Sequence, residues 1–271
     1  MSKQLAVQPQ KTGEFVWQDR EIRFNSVTRR SSESPLVVPE WNIRRHERRG
    51  ADTVFPTEYA FHLLGDVRGK TVVDVGCGDG LNTIILASLG ARVLSVDISG
   101  KCLELTRKRA IANGVAGRVA LLHSDAAAIP IDAGSADAVF GAAILHHVDP
   151  IRAARQIRRV LKPGGVAVFQ EAIFRPSSLA AMKRIRPESE GFGADERALT
   201  LAEIQAVCRA VGFAGRHRAF WLTTRFVCSF GAGTFSMPAK AAQRLDALVL
   251  RSFPFVSRFA SRLVWEARKE S

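Results

Sequence analysis

The sequence predicts an α/β doubly wound fold, a mostly parallel sheet with helices on both faces. Short apolar runs of strand length alternate with helix-length segments through the middle of the chain. The connections between them are short, as expected where helices serve as the crossovers between parallel strands. The first apolar run also leads directly into a glycine-rich turn, Asp74-Val75-Gly76-Cys77-Gly78-Asp79-Gly80, ahead of a helix. With 271 residues, the chain suits one large domain, or one domain with an appended cap.

The elements follow in order. Residues 1–52 are polar and irregular, with isolated aromatics at Trp17, Phe24 and Trp41, and read as an N-terminal arm or cap. Phe55, Tyr59 and Leu63 recur at helical spacing within Thr53–Leu64. Gly65 and Gly69 then punctuate the approach to the first strand. Strands are expected at Thr71–Gly76, Arg92–Asp97, Val119–His123, Ala138–Ala142 and Val166–Glu171, each short, apolar and bounded by turn residues. Leu81–Leu89 reads as a helix closed by Gly90. Ser99–Asn113 starts on a serine cap and stops at Asn113-Gly114. Ile151–Leu161 follows Asp149-Pro150, a capping residue and then a proline in the first turn, and stops at Lys162-Pro163-Gly164-Gly165. Leu201–Val211 opens on a capping box, Thr200 with Glu203, and ends at Gly212. A sixth strand is placed at Gly215–Trp221 and a last one at Leu263–Ala267. The core is therefore expected over 53–222, and 223–271 as a helical, lid-like insertion plus the final strand.

Composition sets the class. Hydrophobic residues make up 46% and charged residues 24%, ordinary for a soluble globular protein. No stretch approaches the roughly 18–20 apolar residues of a membrane span. The start Met1-Ser2-Lys3-Gln4 has no apolar signal region, so a cytoplasmic location is expected. Cys77, Cys102, Cys208 and Cys228 are widely spaced and form no metal-ligand pattern, so no metal is expected. The net charge is +13, with basic clusters at Arg44, Arg45, Arg48 and Arg49 and at Arg155, Arg158 and Arg159. Such charge suits RNA, an anionic membrane surface or an acidic substrate, or simply makes a solvated arginine-rich surface.

In a doubly wound sheet, ligands bind beyond the carboxyl ends of the strands. At the first of these ends, glycines let the backbone turn sharply, and the helix start offers N–H groups to an anion. A dinucleotide fingerprint would need a third glycine at position 81, where Leu81 stands. Asp74 and Asp79 would repel a pyrophosphate and suit a ligand with positive charge, such as the ammonium and sulfonium of S-adenosylmethionine. Asp97, at the end of the second strand, can accept from both hydroxyls of a ribose, and Ile98 can lie against an adenine. Asp125 can accept from the adenine amino group while the Ala126 N–H meets a ring nitrogen.

The segments Val72–Gly80, Val96-Asp97-Ile98-Ser99, Ser124-Asp125-Ala126 and Leu161-Lys162-Pro163-Gly164-Gly165 together resemble the successive motifs of class I S-adenosylmethionine-dependent methyltransferases. The resemblance spans about residues 53–220. It implies a Rossmann-like, seven-stranded sheet with the last strand antiparallel. It also implies cofactor contacts at Gly76, Gly78, Asp97, Ile98, Asp125 and Ala126, and at Ala142 or Ala143. Asp74, Cys77 and Gly80 complete the expected cofactor set as members of the same loop.

The fourth strand leads into Ile144-Leu145-His146-His147. The Asn/Asp-Pro-Pro-Tyr/Phe segment of enzymes that methylate amino groups of nucleobases or glutamine is missing here, as is the cysteine nucleophile of cytosine-C5 RNA methyltransferases. A histidine can take a proton from a hydroxyl during transfer. The fifth strand ends at Glu171, close enough to orient one of the two imidazoles. His146, His147 and Glu171 are thus the catalytic candidates, as in similar O-methyltransferases of small natural products; a histidine merely packed in the loop is the alternative. Before the last strand, Phe226, Phe230, Phe235, Phe253, Phe255 and Phe259 alternate with Arg244, Arg251, Arg258 and Arg262. That pattern suits a lid over a hydrophobic or anionic substrate, or peripheral contact with an anionic membrane. The expectation is therefore methyl transfer to a small-molecule acceptor, at an oxygen of a biosynthetic metabolite, lipid-like compound or glycan precursor. An RNA methyltransferase and a non-catalytic cofactor-binding regulatory protein are the competing readings.

Overall fold

The computed structural model describes residues 36–47, 50–173, 199–229 and 235–271. Trp17, Phe24, Arg48, Arg49, Phe230 and residues 174–198 fall outside them.

Five strands run parallel: β1 (Thr71–Val75), β2 (Arg92–Asp97), β3 (Val119–His123), β4 (Ala136–Ala142) and β5 (Leu161–Ala172). β7 (Arg262–Arg268) pairs antiparallel with both β5 and β6 (Phe213–Phe220). The sheet order is β3-β2-β1-β4-β5-β7-β6, so seven strands with an antiparallel last one are present as expected. β1 has β2 on one side and β4 on the other, which opens a cleft between their carboxyl ends where the strand order reverses.

Helices cover both faces, which is why the central strands are nearly all apolar. On one face Val72, Val93, Phe140, Val168 and Val264 pack against α2 (Pro56–Leu64), α3 (Leu81–Ser88) and the end of α4 (Gly100–Ala112). On the other, Val73, Val75, Val139, Phe169 and Trp265 pack against α5 (Pro150–Val160) and α6 (Leu201–Val211). The local end signals act as read. Ser99 Oγ accepts the Cys102 N–H, Asp149 accepts from Ile151 and Arg152, and Thr200 and Glu203 close a reciprocal capping box.

Three expectations are corrected. β5 starts at Leu161, not Val166, because Lys162–Gly165 is absorbed as an irregularity opposite Ala136–Ala138 and bonds to the chain end through Gly164 and Gly165 to Lys269. α2 begins at Pro56, not Thr53, since proline suits the first helical turn. The arm is not irregular throughout. Glu40–Glu47 forms a helix, α1, fastened by an Arg45–Glu58 ion pair of 2.7 Å and by His46 against Phe61. Trp41 is not isolated either, its ring meeting Phe235 edge-on at 5.8 Å.

The segment before β7 is helical, as expected, with α7 (Thr224–Ser229) and α8 (Met237–Ser252). One buried carboxylate pins it. Asp246 on α8 accepts the N–H groups of Leu222, Thr223 and Thr224 and the hydroxyls of both threonines, capping α7 from a distance. No helix among the described residues is long and apolar enough to cross a membrane.

Candidate active site

The glycine loop joins β1 to α3. Gly76, Gly78 and Gly80 all have φ between +56° and +80°, the left-handed region that glycine alone enters freely. Space forbids a side chain as firmly as strain does. A Cβ at Gly76 would lie 2.5 Å from Ile144, and one at Gly80 2.5 Å from Thr106. Ile144 also blocks Gly141 in β4, where a Cβ would meet its Cγ2 at 2.9 Å. One side chain thus fills the notch between two glycines and presses the loops after β1 and β4 together. A single sequence gives no signal for Ile144 or Thr106, because both act across long separations.

The amides of this loop are consumed internally. Gly76 and Cys77 donate to the Val96 carbonyl, Gly78 to Asp97 Oδ2, Gly80 to the Cys77 carbonyl, and Leu81 to Asp79. These five N–H groups are engaged within the protein. Asp97, buried at the end of β2, also takes the Ser99 N–H on Oδ1 at 2.8 Å. A carboxylate has about four lone-pair sites, so both oxygens keep capacity for hydroxyl donors. One strand further, Asp125 accepts the Ala127 N–H at 2.8 Å, with Ala126 buried beside it. Half-buried Ile98 lies between, its carbonyl accepting from His123 Nε2 at 2.8 Å. Ala142 ends β4 opposite, followed by Ala143 at φ +56°. These residues lie at the carboxyl ends of β2, β3 and β4, around the cleft. Two acids at adjacent strand ends suit a nucleoside carrying hydroxyl and amino donors.

Asp74 and Cys77 need correction. Alternation in β1 sends Asp74 to the α3 face, where it is fully buried and accepts the Thr83 hydroxyl at 2.6 Å. Burial pushes its pKa up to about 7 from an ordinary 3.8, against the Thr83 bond, with Asp97 and Asp79 adding to the rise. Asp79 is answered by buried Arg109 at 3.5 Å. Neither carboxylate therefore supplies the free negative charge read from the sequence. The Cys77 thiol points inward at Thr106, 3.7 Å away, and burial raises its pKa well above the usual value.

Asp74 also gives a pH prediction. Its folded pKa lies above its unfolded one, so the native state holds a proton that the unfolded chain has lost between about pH 4 and 7. Stability from this group is complete below that window and declines as pH rises through about 7. Asp74→Asn removes the titration. In urea unfolding it should gain stability relative to wild type on going from pH 5 to pH 8, by an amount on the order of 1–4 kcal/mol. A constant difference between the two pH values would refute the assignment.

The loop after β4 is organised by Glu171, which is 0% exposed at the end of β5. Its Oε1 accepts the N–H groups of Ile144 and Leu145, both at 2.9 Å. Its Oε2 meets His146 Nδ1 at 2.9 Å. The structure thus chooses between the two histidines, which the sequence did not. With Nδ1–H donated to the carboxylate, Nε2 is the nitrogen that carries the lone pair. His147 lies against His146 with ring centroids 4.0 Å apart. Among the described residues no cluster of potential metal ligands occurs.

The methyltransferase domain family matches residues 73–169, the stretch from β1 to β5 that builds this cleft. Residues 73–169 are a class I methyltransferase domain. Demethylmenaquinone methyltransferase of Clavibacter sepedonicus is 36% identical over 111 residues, 40% of this chain and 43% of the relative. Ubiquinone biosynthesis O-methyltransferase of Bordetella avium (strain 197N) is 29% identical over 167 residues, 57% and 66% of the two chains. The chain therefore spans about half the length of the curated relatives it matches. Among solved structures, the [4+2]-cyclase SpnF shares the fold with a TM-score of 0.54 at 20% identity, over 84% of this chain and 80% of that one.

Proposed function

We propose that this chain transfers the methyl group of S-adenosylmethionine to a hydroxyl oxygen of a small-molecule acceptor. The observation that carries the reading is the convergence of Asp97 and Asp125 on one cleft with the Glu171–His146 pair across it. S-adenosylmethionine brings an electrophilic methyl on a sulfonium and leaves as the neutral thioether. The protein's part is to hold the two reactants in line and manage one proton. Asp97 would take the ribose hydroxyls and Asp125 the adenine amino group. Glu171 fixes the imidazole, and His146 Nε2 would receive the proton that the acceptor hydroxyl loses as its oxygen gains the methyl. Alignment in a closed cleft can supply much of the rate by itself. The name of one relative, an O-methyltransferase of ubiquinone biosynthesis, agrees with an oxygen acceptor, and that of another, a demethylmenaquinone methyltransferase, agrees with a small-molecule one.

The basic residues favour this reading over RNA. Arg45 is paired with Glu58, while Arg158 and Arg159 hold the carbonyls of Val211 and Ile131. Those three arginines serve packing. The exposed apolar and basic residues of α8 and Phe253–Phe259 suit shallow contact with an anionic bilayer, and so a lipid-like acceptor.

The test is methyl-labelled S-adenosylmethionine with separate soluble and membrane extracts, read by mass spectrometry. Label is expected in an O-methylated small molecule, more from the membrane extract. Label confined to RNA would replace this reading with the nucleic-acid one. Cofactor binding without any labelled product would leave a non-catalytic binding protein.

A further inference from the structure

Away from the glycine loop, a cavity of about 690 Å³ lies between edge strand β6 and α8. Leu248, Leu250, Pro254 and Leu263 give it an apolar wall, and Arg218 and Arg251 give it charge. The balance is uneven. Asp52 is the one carboxylate among the described lining residues, against two guanidiniums. Nearby, Arg216 and Arg268 share the buried carboxylate of Glu266, at 3.0 and 3.4 Å. Among the described residues, Arg218 and Arg251 form no such ion pair.

Arg218 is also positioned. Its Nη1 donates to the Ala51 carbonyl at 2.7 Å, and its guanidinium lies over the rings of Phe220 and Tyr59, 4.9 and 5.6 Å from their centroids. A planar group held on two aromatic faces keeps its remaining N–H donors fixed in direction. Burial lowers its pKa, and the like charge of Arg251 works in the same direction against Tyr59 and Asp52. A half-buried cation beside another cation is an arrangement that an anion relieves.

One lining residue neighbours the candidate catalytic pair. Leu263 stands directly opposite Glu171 in the β5–β7 pairing. Side chains opposite each other across antiparallel strands are about 5 Å apart on the same face. From β6 to β5 the sheet spans two strand spacings, roughly 10 Å. We infer that this cavity binds an elongated apolar molecule with an anionic end, the anion against Arg218 and Arg251 and the apolar body along Leu248, Leu250 and Leu263. That this molecule is the methyl acceptor rests on the proposed function; that the cavity takes an anionic amphiphile does not.

Calorimetry with decyl phosphate, kept monomeric, tests the inference in the full chain with and without S-adenosylhomocysteine. Saturable binding is expected, weakened about tenfold or more by Arg218→Gln and by Arg251→Gln, since each removes charge-assisted hydrogen bonds. Arg251 is exposed, so its variant reports on the site even if Arg218→Gln proves unstable. S-adenosylhomocysteine affinity should be unchanged in both. Neutral decyl glucoside and inorganic phosphate should each bind at least about tenfold more weakly, as each lacks one half of the match. Equal binding of decyl glucoside, or variants that bind like wild type, would overturn the inference. So would binding to phosphatidylglycerol vesicles without binding to monomeric decyl phosphate, which would assign the arginines to a bilayer surface. If decyl phosphate binds and S-adenosylhomocysteine does not, the methyltransfer reading fails while the cavity stands.

Discussion

An Asp97→Ala variant is expected to bind S-adenosylmethionine about 100- to 10,000-fold more weakly than wild type. Two hydrogen bonds from ribose hydroxyls to an ionised acceptor are worth about 1.5–3 kcal/mol each, and each 1.4 kcal/mol is a factor of ten. The carboxylate also holds the loop itself, accepting from Gly78 on one oxygen and Ser99 on the other, both at 2.8 Å. Removing it leaves both N–H groups without their acceptor in a buried place. Asp97→Asn separates the two roles. Its amide keeps one acceptor oxygen, so it should hold the loop better than alanine while still losing charge against the ribose. Calorimetric titration, paired with thermal unfolding to show that the variants are folded, reads both effects. Wild-type affinity in a folded Asp97→Ala protein would remove Asp97 from the cofactor site and the main support for the nucleoside reading.

What the sequence reveals about this site divides by range. Ser99, Asp149 and Thr200 were legible as caps because a cap bonds to amides two or three residues away. Asp97 and Asp125 were legible because the end of a parallel strand is where a doubly wound sheet binds. Asp74 was misread for a reason the sequence already held. In β1, Val73 and Val75 alternate with Val72 and Asp74, and that alternation turns Asp74 toward α3 and away from the ligand. The loop motif names a position; the strand period decides where its side chain points. Ile144 against Gly76, Thr106 beneath Gly80, and Asp246 capping α7 were illegible, since each is a contact across 22 to 68 residues that no local pattern encodes. α1 escaped because Glu-Trp-Asn-Ile-Arg-Arg-His-Glu has no apolar period and is held by the Arg45–Glu58 ion pair and the ring contacts of Trp41 and His46.

Replacing Glu171 separates the stability of the site from its chemistry. Glu171→Ala leaves two buried amides and an imidazole without their acceptor, and removing a buried charged partner costs about 3–5 kcal/mol. That variant should unfold several degrees below wild type and lose activity for trivial reasons. Glu171→Gln is the informative one. Its carbonyl oxygen can still accept from Ile144 and Leu145, which places the amide nitrogen toward His146 Nδ1. An NH₂ group there donates, so Nδ1 must become an acceptor and the imidazole proton moves to Nε2. The loop then stays folded and the cofactor affinity stays near wild type, while the nitrogen facing away from position 171 loses its lone pair. If His146 is the general base, kcat should fall about 100- to 10,000-fold, the usual worth of such a group. KM for the cofactor should change little, which a merely structural role for Glu171 does not produce. Full turnover in Glu171→Gln would mean that the pair only shapes the loop after β4. Alignment of the acceptor against the methyl would then be the whole of the catalysis.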